Sequence, residues 1–420
     1  MTRRTFLSSS AAVAARSALG AASGPSILLI SGWNIYNIGD VAITPGFLQL
    51  VRKHFPGARV TMLAASYPKE ISEYLTPKFP DLRILPMEFH AGKSLSPAME
   101  DAFRGADLLV LNSGMTMSYG YYGLEWDRYM PRPLAFLKAR EMGIPYGVYG
   151  HSFDKVEPQA DILYRDIFRT ASFIYTRDSE SLKVLKGVGV ACPEMAFGPD
   201  STFGFVLQNR ERGENYLRTN GLEPGKFLAL IPRLDVNRFR QDGQEKAHAE
   251  QTREIIVRWV KATGLPVALV PEVKKQIEPA KTMVNDLLPP EIRAKVRFQE
   301  DFWWPDEAQY VYGKALAIAS CEMHSIILGL AAGTPSVHFY FAQAGLKQWM
   351  VRDIGLPEWL LDQDKVPPGR ITDTLLEIHR DPAAARRKTA KAMAYVAQRQ
   401  TETMAMVRRS AEAHYRKRVG

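Results

Sequence analysis

Apolar residues in this 420-residue chain fall into short unbroken runs separated by longer amphipathic stretches. Ser26-Ile27-Leu28-Leu29-Ile30-Ser31 is the first such run and ends at Gly32. An apolar run without polar interruption is the pattern of a strand covered on both faces in a parallel sheet. A helical stretch at residues 43–54 follows, and then runs at 59–63, 108–111, 146–149 and 173–175, with helical stretches at 133–142 and 179–185 between them. This alternation predicts a βαβ series of the doubly wound kind. Between Gln208 and Gly225 the pattern gives way to polar residues and turn formers, which places a boundary there. A second series has strands at 227–231, 267–270, 296–298, 316–319 and 336–339, and helices at 249–263, 281–288 and 325–332. From Asp381 to Lys417 the spacing is that of one long helix, which could pack back over the first half. The expected fold is α/β, with two facing Rossmann-like domains on parallel sheets at 25–210 and 225–375, and a helical segment at 376–420.

Composition narrows the class. With 46% hydrophobic and 24% charged residues, and no apolar run near the roughly 20 residues that span a bilayer, neither disorder nor a transmembrane segment is expected. The net charge of +9 includes Arg3, Arg4 and Arg16 near the N-terminus. Much of the remaining excess alternates with Ala, Met and Val over the last forty residues, the pattern of a solvated helix face and not of a nucleic-acid patch. Two cysteines, Cys192 and Cys321, exclude a disulfide scaffold and a cysteine-rich zinc site, and no HExxH spacing suggests a metal.

Residues 1–24 stand apart. Thr2-Arg3-Arg4-Thr5-Phe6-Leu7, then a weakly apolar stretch and small residues up to Gly24, resembles a twin-arginine export signal and implies a periplasmic or otherwise exported protein. The alternative is a basic, alanine-rich tail on a cytoplasmic protein, to which Arg16 inside the apolar stretch is suited.

In open α/β sheets the ligand crevice lies outside the carboxyl ends of the strands, so candidate chemistry is sought in the loops that follow them. After the first strand, Gly39 allows close backbone approach, Asn37 can bond loop or ligand, and Asp40 can cap the next helix or face a ligand. The loop, which begins Gly32-Trp33, is not GxGxxG, so nicotinamide binding has no support. Asn112-Ser113-Gly114 and Gly150-His151-Ser152 end later strands; His151 is either a structural histidine or an acid, base or anion donor. Arg177 either pairs with Asp178 or binds an anion. In the second half, His324 and Ser325 stand at a helix N-terminus, where backbone N–H groups favour an anion and an imidazole can exchange a proton with it. Glu322 precedes them, and Arg233, Asp235, Asn237 and Glu272 are further strand-end polar residues. Phe302-Trp303-Trp304-Pro305 can pack in a core or stack on a sugar ring.

Several of these loops together resemble the polysaccharide pyruvyl transferase family. The matching pieces are Asn37-Ile38-Gly39-Asp40-Val41-Ala42-Ile43, Gly143-Ile144-Pro145 leading to Tyr149-Gly150-His151-Ser152, and Thr176-Arg177-Asp178-Ser179-Glu180-Ser181 with Leu185 and Gly189. Pro199-Asp200 and His324-Ser325 with Ala331, Gly333 and Pro335 complete the set, which extends over 27–339. The resemblance implies the GT-B layout and transfer of the enolpyruvyl group of phosphoenolpyruvate to a cell-envelope or exopolysaccharide sugar as a ketal. It also implies His324 as the proton-transferring residue and Arg177 as part of the surface that holds a small anionic donor, with no cofactor besides that donor; Arg233 could help to hold the same donor. Two other readings stand beside it. Glu322 could bond a ribose or sugar hydroxyl in a GT-B transferase with another donor, or the chain could be an exported glycan-binding protein without catalysis.

Overall fold

A computed structural model describes residues 24–31, 34–89, 95–118, 130–154, 156–234, 244–367 and 369–420. Residues 1–23, on which the expected leader falls, and Gly32, Trp33, Asp235 and Asn237 lie outside the described residues. The first half forms a seven-stranded parallel sheet from β1 (Ser26–Ser31), β2 (Arg59–Ala64), β3 (Arg83–Pro86), β4 (Leu108–Leu111), β5 (Tyr146–His151), β6 (Phe173–Thr176) and β7 (Met195–Phe197), in the order 3-2-1-4-5-6-7. The second half forms a six-stranded parallel sheet from β8 (Leu228–Ile231), β9 (Val267–Leu269), β10 (Val296–Phe298), β11 (Ala317–Ser320), β12 (Ser336–Tyr340) and β13 (Leu360–Asp362), in the order 10-9-8-11-12-13. In both, the chain reverses direction after the third strand of the half, so the fourth strand is laid on the other side of the first. That reversal opens a crevice at the carboxyl ends of β1 and β4 in one sheet and of β8 and β11 in the other.

The strands read from unbroken apolar runs are present. Those absent from the sequence reading are β3, β7 and β13, and all three are sheet edges. Their residues are mostly half-exposed, so they carry no continuous apolar run. The first helix, Ile38–His54, starts five residues before the expected 43 because Asn37 caps it and Pro45 is accommodated inside it. Segment 208–225 is not loop throughout. It contains the helix Arg210–Thr219, whose Tyr216 and Leu217 join the second-half core.

Two of the contacts between the halves stand out. An extended bridge pairs Asn37 with Val273; Ile38 N–H donates to the Glu272 carbonyl (3.2 Å) and Lys274 N–H to the Tyr36 carbonyl (2.8 Å). The second link is the 38-residue helix Pro382–Val419. Its Ala385, Ala392 and Val396 sit in the second-half core, whereas Met404, Val407 and Ala411 sit in the first-half core. Arg418 then fixes the far end with two 2.9 Å bonds to Asp107.

Candidate active site

After β11 the chain turns through Cys321 and Glu322 into the helix Met323–Ala331. Glu322 stands at the cap position, yet its side chain does not cap. The carboxylate that does so comes from the loop after β9: Glu272 Oε2 accepts from both the N–H (2.8 Å) and the hydroxyl (2.7 Å) of Ser325. An acceptor there satisfies an otherwise free helix N–H and complements the helix dipole. Its other oxygen, Oε1, lies 3.6 Å from Nδ1 of His324. On the opposite side, Nε2 of His324 is 3.9 Å from Oδ2 of Asp200, which belongs to the first half. His324 is 6% exposed, and neither its Nε2 nor Glu272 Oε1 has a hydrogen-bond partner among the described residues. Burial by itself would raise both carboxyls. The imidazole beside Glu272, and Arg177 followed by the imidazole beside Asp200, outweigh it and hold each below its ordinary value.

The imidazole fits because the first helix presents no side chain to it. A Cβ on Gly39 would lie 2.0 Å from His324 Nδ1. Asn37, not Asp40, is the cap of that helix, accepting from Gly39 N–H at 2.9 Å and Asp40 N–H at 3.4 Å. Asp40 therefore sits in the first turn, half-buried. Burial pushes its carboxyl up, opposed by His324 and then Lys347.

Behind Asp200 runs a buried polar chain. Arg177, 1% exposed, donates through Nη1 to Asp200 Oδ2 and through Nε to Ser152 Oγ, both at 2.7 Å; Ser152 in turn donates to Asp178 at 2.6 Å. The partner of Arg177 is thus Asp200, and neither of the two expected alternatives, a pair with Asp178 or a free anion site, describes it. Asp178 caps the helix Ser179–Gly187 through Ser181 N–H, and burial pushes it up to about 6. The exposed end of that helix is also taken, since Ser179 N–H donates to Asp353 of the second half at 2.7 Å.

His151 does not serve as an acid or base. Its Nε2 accepts from Met117 N–H (3.2 Å), so Nδ1 carries the proton and donates to the Asn112 carbonyl (2.9 Å). Burial pushes it down to about 3 and keeps the ring neutral. Ser152 and Ser325 are likewise wholly buried and committed to protein partners.

At the carboxyl ends of β8 and β12 the site is basic. Arg233 reaches Glu322 Oε2 at 3.2 Å, so that carboxylate faces a guanidinium. The ammonium of Lys347, half-buried in the turn after β12, makes no hydrogen bond or ion pair among the described residues. Burial and then Arg233 push its ammonium down, against Glu322 and Glu272. Sequence reasoning missed Lys347 and gave no site role to Asp200 or Glu272, although the strand-end rule applies to Lys347 as it does to His324. Asp154, one residue beyond the expected Gly150–Phe153 turn, is pushed up to about 6 by burial and Asp178. No cluster of His, Cys, Asp or Glu suited to a metal ion occurs among the described residues. No helix among them is long and apolar enough to cross a membrane.

The arrangement provides a histidine with a free ring nitrogen between two carboxylates, and cations at neighbouring strand ends. Such a site can deliver a proton to an anionic substrate. The family model described as polysaccharide pyruvyl transferase matches residues 37–341. No curated protein matches the sequence. Among solved structures, a glycosyltransferase of Rickettsia africae aligns with TM-score 0.59 at 11% identity, covering 94% of this chain and 98% of that one. MnaA of S. aureus with UDP gives 0.55 at 10% identity, covering 88% and 91%. HepE of Anabaena, in complex with UDP and glucose, gives 0.54 at 12%, covering 91% and 99%. At such identities the likeness establishes the shared GT-B fold.

Proposed function

The chain belongs to the polysaccharide pyruvyl transferase family, and on that premise we propose that it moves the enolpyruvyl group of phosphoenolpyruvate onto two hydroxyls of a cell-envelope or exopolysaccharide sugar. The observation that carries this reading is His324, with Nε2 unpartnered at the junction of the two sheets, between Asp200 and Glu272. In this reading the imidazolium Nε2–H protonates the donor's methylene carbon, and C2 becomes electrophilic. A sugar hydroxyl adds to C2 and returns its proton to the ring. The second hydroxyl then displaces phosphate, which leaves with that hydroxyl's proton, and the ketal closes. Lys347 and Arg233 supply positive charge for the donor's carboxylate and phosphate, and Arg233 offsets Glu322 at the same place.

The test is phosphate release and ketal formation from phosphoenolpyruvate with glycan acceptors, for the native chain and for His324→Gln. The reading requires turnover in the first and a loss of at least about a hundredfold in the second. Equal activity in both removes His324 from the chemistry. Binding of UDP or a UDP-sugar with none of phosphoenolpyruvate selects a nucleotide-sugar transferase, the ligand class seen in the MnaA and HepE complexes.

A further inference from the structure

The crevice between the sheets has a second compartment. A cavity of about 470 Å³ is lined by Ile35, Tyr36, Lys274, Ile277, Glu300, Asp301, Phe302 and Trp304. Its walls come from the carboxyl ends of β1 in one half and of β9 and β10 in the other, the edges where open α/β sheets bind ligands. The Asn37 to Val273 bridge adjoins it, with Tyr36 and Lys274 next in sequence on either side. Only Asn37 and Ile38 separate Tyr36 from Gly39, on which His324 rests.

Its aromatic residues are held in place while remaining open. Tyr36 is 43% exposed, and its ring is fixed by an edge-on contact with Tyr67 (6.2 Å, 74°) and by the Lys274 ammonium 5.2 Å from its centroid. Tyr67, also exposed at 42%, adopts φ 50° and ψ 48°, the only non-glycine residue of positive φ among those described. A bulky residue in the left-handed region is strained, and such residues concentrate at ligand-binding places. Trp304 stacks on Tyr74 at 4.6 Å and 15°, so its indole is anchored where it borders the cavity. The neighbouring Trp303, by contrast, is core, packed on Tyr216 and Tyr312.

The lining defines a ligand class. Rigid aromatic faces suit the apolar C–H face of a pyranose, and exposed carboxylates accept from its hydroxyls. Two carboxylates against one lysine oppose a phosphorylated or carboxylated ligand. We propose that this compartment binds a neutral sugar ring of the glycan acceptor, a unit other than the one that reacts at His324. The proposal rests on the reading of the chain as a glycan-modifying protein.

The experiment is calorimetric titration of the full chain with neutral glucose and galactose oligosaccharides of two to four units, without donor. Saturable binding is expected, weakened at least tenfold in Tyr36→Ala and in Asp301→Asn and unchanged in Tyr36→Phe. The Tyr36 side chain is exposed and its backbone bonds survive the change, so Tyr36→Ala should keep its fold, with an unaltered Tm as the check. Absence of saturable binding, or binding indifferent to Tyr36→Ala, overturns the proposal. Donor-dependent transfer is read in a separate assay, so a chain that binds these sugars without pyruvyl transfer sinks the reaction and leaves the compartment standing.

Discussion

Gly39 and His324 share one volume: the Cβ that Gly39 lacks would fall 2.0 Å from Nδ1 and 2.4 Å from Cβ of the histidine. Gly39 is the second residue of its helix, where helix propensity alone favours alanine by at most about 1 kcal/mol. Here Gly39→Ala is expected to destabilise instead, by about 1–3 kcal/mol, because the ring or the helix must move. A fall in Tm together with at least a tenfold loss of turnover checks this. An unchanged or higher Tm would show that the two halves part easily at this contact.

Glu272 caps one helix and flanks the imidazole of another residue in it. Glu272→Gln removes the charge from both duties, so a stability loss of about 1 kcal/mol and a slower reaction are expected together. Urea unfolding and steady-state rates on the same preparation measure the pair of effects.

The Arg177–Asp200 pair is buried, with side chains 2% and 0% exposed. Arg177→Met should cost about 3–5 kcal/mol because it strands the carboxylate. Arg177→Lys should also be costly, since an ammonium cannot bond Asp200 and Ser152 in the same fork. A double-mutant cycle with Asp200→Asn in chemical denaturation gives the coupling; additivity would contradict the pairing.

Asp178 makes stability depend on pH. Burial raises its folded value from 3.8 to about 6, so between those values the native state binds more protons than the unfolded one. Its contribution is full below about 4 and disappears as pH rises through about 6, up to about 3 kcal/mol for a shift of two units. Asp178→Asn should flatten the dependence of Tm on pH between 4.5 and 7.5; an unchanged slope would assign that dependence elsewhere.

Lys347 has a half-buried ammonium without a close partner among the described residues. Lys347→Met should therefore leave Tm unchanged or higher, yet weaken phosphoenolpyruvate binding at least tenfold if the cation meets the donor. Thermal melts and calorimetric titration of the same variant separate the two.

The sequence showed the central strands because burial on both faces leaves an apolar run. It hid β3, β7 and β13, whose edge positions remove that requirement. His151 and His324 looked alike as strand-end histidines. What separates them is which backbone groups fold back onto the ring, and no local pattern records that. The same holds for Asp200 and Glu272, which reach His324 from distant loops of different halves. Arg177 was visible, but its partner was not, because Asp178 is its neighbour in the chain and Asp200 only in space.

The helix Pro382–Val419 is rooted in both cores, with Ala385 to Val396 in one and Met404 to Ala411 in the other. A jaw-like opening of the crevice would have to bend this rod or pull one set of its side chains from its core. A twist about the rod would keep both sets buried, yet it would shear the Asn37–Val273 bridge and the Ser179–Asp353 bond. Because the rod belongs to both cores, each core loses a wall if the other melts, so the two halves should unfold as a single cooperative unit.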